Sequence, residues 1–74
     1  MKATVVYKEN KFENIVLKSV DEHIISFRIL SDHKERINYI EALINDGDAS
    51  VDLDENLWDF VVVKRKHVKE IVAE

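Results

Sequence analysis

The spacing of apolar residues changes twice along this chain, and the change restricts the folds open to it more than any other feature. From Ala3 to Leu30 apolar side chains recur at about every second position, the period of a half-buried strand. Over residues 33–45 the spacing becomes helical, with Ile37, Ile40, Leu43 and Ile44 on one stripe. From Ala49 onward the alternation returns. Strands, one helix and strands again, in 74 residues, predict a single α+β domain spanning residues 1–74.

Punctuation is sparse. Proline is absent and Gly47 is the only glycine, so Asn, Asp and Ser must supply the turns. Ala3, Val5 and Tyr7 mark a first strand, and Glu9-Asn10-Lys11 is the expected turn. Phe12–Lys18 is the second strand, with Ile15 and Leu17 on one face and Val16 on the other. After a turn at Asp21-Glu22, a third strand over His23–Leu30 places Ile25, Phe27 and Ile29 on one face. The short connections predict an antiparallel meander.

Asp32 and Glu35 have capping-box spacing, which predicts a helix over about 33–45, and Gly47 suits the left-handed position past its end. Ala49–Leu53 reads as a fourth strand, Asp54-Glu55-Asn56 as a hairpin loop, and Leu57 to about Lys66 as a fifth strand. In that last strand Trp58, Phe60 and Val62 share a phase and are expected in the core. Val68, Ile71 and Val72 fit either a helix or a strand.

The element order βββαββ fits an open antiparallel sheet with the helix on one face. It also fits a sheet curled into a small barrel with the helix inserted. Phe12–Asp21 and Val61–Ile71 resemble, in pattern, strands of SH3-like or Sm-like barrels, without the glycine and asparagine signatures of Sm proteins. On an open sheet Val6, Val16, Ile24, Val61 and Val63 fall on the face opposite the expected core. A second copy or another partner is then the expected cover.

Composition narrows the function classes. With 46% hydrophobic and 35% charged residues the chain is far from the disordered class. It has no cysteine, hence no disulfide framework, thiolate nucleophile or Cys-based zinc site. The start Met1–Lys8 meets a charge before a signal-peptide apolar region develops, and the run Phe60–Val63 is too short to cross a bilayer. These features predict a cytoplasmic protein with no membrane partner. The net charge of −4 argues against a duplex- or membrane-binding surface.

Catalytic patterns are sparse too. The imidazoles are His23, His33 and His67, and no spacing joins one to a serine and a carboxylate. One glycine cannot build a phosphate loop. An EF-hand loop beginning at Asp46 would need glycine and glutamate where Val51 and Leu57 stand. The expectation is a non-enzymatic protein with no metal and no cofactor.

Charge is segregated instead. Asp46, Asp48, Asp52, Asp54, Glu55 and Asp59 form a stretch without Lys or Arg. In the plainer reading they solvate a loop and blunt an edge strand. In the sharper one they form an acidic lip for a basic protein partner, with like charges accelerating association. Lys64, Arg65, Lys66, His67 and Lys69 form the opposite cluster, after the aromatics Trp58 and Phe60. They either neutralise the acidic stretch within the domain or bind single-stranded nucleic acid by phosphate contact and base stacking. The expected function is therefore a small regulatory protein acting through its acidic surface, with a nucleic-acid-binding barrel as the alternative. Its richness in Ile, Lys, Asn and Glu suits an AT-rich genome. That is compatible with a phage or mobile-element inhibitor of a host factor.

Overall fold

The computed structural model describes residues 1–29, 33–55 and 58–74, with the backbone alone at 33 and 34. In chain order the elements are β1 (Lys2–Tyr7), β2 (Asn10–Val20), β3 (Ile24–Ile29), α1 (His33–Ile44), β4 (Ala49–Asp52), β5 (Asp59–Lys64), a 3-10 turn (Arg65–His67) and β6 (Val68–Ala73). The six strands form one antiparallel sheet in the order β4-β5-β3-β2-β1-β6, in a single α+β domain. The tail that fits both helix and strand is a strand, because it finds the open side of β1.

The core lies on one face of this sheet. Ala3, Val5 and Tyr7 of β1, Phe12 and Ile15 of β2, Ile25, Phe27 and Ile29 of β3, and Val61 and Val63 of β5 are fully or almost fully buried, with Leu43 of α1 over them. Phe12 meets Tyr39 of the helix edge-on, with ring centroids 5.0 Å apart. That geometry suits aromatic quadrupoles.

Phe12 and Ile15 both point inward although they are three residues apart, which strict alternation forbids. The pairing Ala3↔Ile15 and Val5↔Phe12 contains one extra residue on β2, and Asn14 takes a left-handed φ of 56° there. This is a β-bulge, and Asn tolerates its conformation better than most residues. The β1–β2 turn falls on Lys8-Glu9, one residue earlier than Glu9-Asn10-Lys11, with Lys8 at φ 53°. The Asp21 turn forms as expected: Asp21 Oδ1 accepts from the His23 and Ile24 N–H groups, each at 2.7 Å.

The sheet curls without closing. In a flat sheet β3 and β6, with two strands between them, would stand about 14 Å apart at ~4.8 Å per strand. Here Ile25 of β3 shares one recess with Val68 and Ile71 of β6. Two backbone bonds hold the 3-10 region in place: Lys8 N–H donates to the His67 carbonyl and Arg65 N–H to the His23 carbonyl, both at 2.9 Å.

Three expectations need correction. On β5 the buried phase is Asp59, Val61 and Val63, so Trp58, Phe60 and Val62 lie on the opposite face and are only half-buried. Both phases of this strand are apolar, and the one charge that marked the outward phase is neutralised inside by the helix. On α1 Leu43 is buried with Tyr39 and Ala42 packed beside it, whereas Ile37 and Ile44 remain exposed. Gly47 does not take a left-handed φ. The helix exit is closed instead by the Asp46 N–H donating to the Leu43 carbonyl at 3.1 Å and by Asp46 Oδ1 accepting from the Asp48 N–H at 2.9 Å. The capping role expected of Asp32 and the loop residue Asn56 lie outside the described residues.

Candidate functional site: an acid-rimmed recess on the uncovered sheet face

The acidic stretch separates into three parts. Asp59 opens β5 and points into the core, where it is fully buried. Its carboxylate accepts from Arg36 Nε at 2.5 Å, Arg36 Nη2 at 2.9 Å and the Asp54 N–H at 2.8 Å. A buried carboxylate persists only when paired and hydrogen-bonded in this way. The Arg36 bond, and then the Asp54 N–H, hold its pKa below the usual aspartate value against the opposing effect of burial. Arg36 Nη2 also donates to the Asp54 carbonyl at 3.2 Å, so one side chain ties α1 to the β4–β5 connection. Asp59 therefore does not reach the surface expected of a lip residue.

Asp46 and Asp48 leave the lip for another reason. Lys8 Nζ lies 2.9 Å from Asp46 and 3.5 Å from Asp48. Asp48 also meets Lys64 at 3.1 Å, and His67 Nε2 donates to it at 2.9 Å. With Lys64 as the largest influence, the Asp48 carboxyl is held down at about 2. The Tyr7 hydroxyl is buried beside Asp46 without a well-formed hydrogen bond to any described residue. Burial above all pushes its pKa up to about 12. This network fastens the β1–β2 turn, the helix exit and the 3-10 turn to one another.

The basic cluster is divided by the same contacts. Lys64 and His67 turn onto Asp48, and Arg65 Nη1 donates to the Asp21 carbonyl at 3.2 Å. Lys66 and Lys69 are exposed. Trp58 and Lys64 stand at opposite ends of β5, about 20 Å apart at ~3.3 Å per residue. The aromatics are thus not interleaved with the C-terminal bases.

Asp52, Asp54 and Glu55 are the lip residues that stay together, Asp52 and Glu55 exposed and Asp54 half-buried. With Leu53 they rim a recess whose remaining walls are Arg28, Trp58 and Phe60. The sheet register builds it, since Asp52 pairs with Phe60 and Phe60 with Arg28 across β4, β5 and β3. The Arg28 guanidinium lies 5.3 Å from the Phe60 ring centre and 5.8 Å from that of Trp58, and it donates to the Trp58 carbonyl at 2.6 Å. Lys18 approaches the Trp58 ring at 5.9 Å. Arg28, held by its hydrogen bond, and the exposed Lys18 thus lie against aromatic faces, with carboxylates along the β4 side.

The sequence pointed to the carboxylates of this recess and missed Arg28, Trp58 and Phe60 as its walls. The signal for Trp58 and Phe60 was the second apolar phase of β5, whereas Arg28 stands on β3 and meets them only through the pairing of the two strands. Among the described residues no group of three or more His, Cys, Asp or Glu side chains has metal-binding geometry, and no helix is long and apolar enough to cross a membrane. His23 is exposed beside Glu22, Ser19 and Ser26 share a hydrogen bond of 2.5 Å between their hydroxyls, and the His33 side chain lies outside the described residues. No family model, curated protein or solved structure matches this chain, so the geometry of its own surface carries the functional reading.

Proposed function

We propose that this chain is a small non-enzymatic interaction protein that binds a basic segment of a protein partner at the recess bounded by Arg28, Asp52, Leu53, Glu55, Trp58 and Phe60. One observation carries this reading. Asp46, Asp48 and Asp59 are occupied inside the domain, while Asp52 and Glu55 remain exposed beside half-buried aromatic side chains. Aromatic walls provide contact area at low entropic cost, and the rim charges orient a cationic partner during approach.

The test compares wild type with an Asp52→Lys/Glu55→Lys variant in affinity capture, followed by titration of the captured partner. Trp58 is the only tryptophan, so its fluorescence reports on the recess directly. The reading expects partner loss in the variant and an emission change on binding to wild type. Equal retention by both proteins removes the acidic rim from the account. The alternative, nucleic-acid binding through Lys64, Arg65, Lys66, His67 and Lys69, predicts salt-sensitive retention of single-stranded RNA that Lys66→Glu/Lys69→Glu abolishes.

A further inference from the structure

The exposed aliphatic residues of α1 lie along one side of the helix, and that side is defined by its neighbours. Around the helix axis, at 100° per residue, the order is Tyr39, Leu43, Arg36, Ile40, Ile44, Ile37. Tyr39 reaches β2, where its hydroxyl accepts from the Glu13 N–H at 3.0 Å. Leu43 points into the core, and Arg36 reaches Asp59 and the Asp54 carbonyl. Continuing in the same sense carries Ile40, Ile44 and Ile37 past β5 to the outer flank of β4. There Ile37 is 42% and Ile44 61% exposed.

β4 is an edge strand, so half of its backbone N–H and C=O groups point away from β5. The turn at 45–48 reverses the chain, so β4 runs back along α1. α1 and β4 are in contact, and Ala49 and Val51 of β4 pack against the core. Among the described residues the result is an unpaired β4 edge with Ile37 and Ile44 exposed on the helix above it and, on the other face, Ser50 and Asp52.

We infer that β4 accepts an added strand from a protein partner, an extended segment in which apolar and basic residues alternate. Its inward side chains cover Ile37, Ile40 and Ile44, and its outward ones meet Asp52 and the acidic rim beyond. A second copy of this chain is a poor occupant, because β4 holds no basic residue to meet Asp52 and the protein has a net charge of −4. The other free edge differs: β6 carries Lys69 and Glu70, the kind of charges that blunt an edge. This inference rests on the proposed protein-binding role and specifies the form of the partner.

The probe is a short capped peptide of alternating valine and lysine, titrated into the full chain with backbone amide NMR as the readout. A block-ordered peptide of the same composition is the control. The expected result is shift changes centred on Ala49–Leu53, slowed exchange of the outward β4 amides, and weaker binding of the block-ordered peptide. Ile37→Ser/Ile44→Ser and, separately, Asp52→Lys should each weaken the alternating peptide about tenfold or more, with spectra of the free variants still dispersed. Ile44→Ser alone serves if the double variant unfolds. Equal binding of both peptides, or shifts confined to Glu55, Trp58 and Phe60, overturns strand addition and leaves the acidic recess standing. If neither peptide binds in an Asp52-dependent way, the underlying protein-binding reading falls as well.

Discussion

Asp59 shows how one residue can invert the reading of a strand. A carboxylate in an alternating apolar segment marks the solvent face unless a cation waits inside, and Arg36 is that cation. Replacing Arg36 by Met leaves Asp59 buried without its partner. Denaturant unfolding should show a loss at the low end of the ~3–5 kcal/mol typical of a stripped buried carboxylate. Arg36→Met/Asp59→Leu should recover much of that loss, since a well-packed apolar pair can replace a buried ion pair. Asp48 contributes to the pH dependence alongside Asp21, Asp46 and Asp59, whose pKa values are also lowered. Its folded pKa is lowered to about 2 while the unfolded chain keeps an ordinary aspartate value near ~3.9. The stabilisation is therefore complete above that unfolded value and is lost as pH falls toward 2. Thermal melts between neutral pH and acid should show the drop, and Asp48→Asn should make it smaller.

Whole elements obey a different logic, since each has to satisfy the registers on both of its sides. β2 is interrupted by bulges at Asn14 and near Lys18, and the first brings Phe12 and Ile15 onto the same buried face. α1 turns toward that core with Leu43, Tyr39 and Ala42 rather than with its isoleucines. Leu43→Ala should then cost about 2–4 kcal/mol through the cavity it leaves, whereas Ile44→Ala should stay within about 0.5 kcal/mol. The same contrast tests β5. Val61→Ala should destabilise by about 2 kcal/mol and Val62→Ala by clearly less, because Val61 is buried and Val62 only partly. If Val62 proves the costlier site, the phase assigned to the strand is wrong.

Over the whole molecule, the order of strands in the sheet decides what is protected. Strands β5, β3, β2 and β1 each have a neighbour on both sides, while β4 and β6 have one. Native-state hydrogen exchange should therefore find the slowest amides in β3 and in the β1–β2 pairing, with β4 and β6 opening at lower free energy. The fold was largely legible in advance: the three-strand meander, the helix and the return to strands all follow from apolar spacing. The site was legible only in part. A run such as Phe60–Val63 carries no phase information, and pairings as distant as Lys8 with Asp46 or Arg36 with Asp59 leave no local trace in sequence.

Composition and periodicity by themselves determined the α+β class, the order of elements through the fifth strand and the separation of acidic from basic stretches, because these depend on local spacing and on covalent sequence. The three-dimensional fold alone decided which face of β5 is buried, which carboxylates are neutralised and which flank of α1 stays open. Those outcomes depend on side chains meeting across tens of residues, where burial, pairing and register settle together.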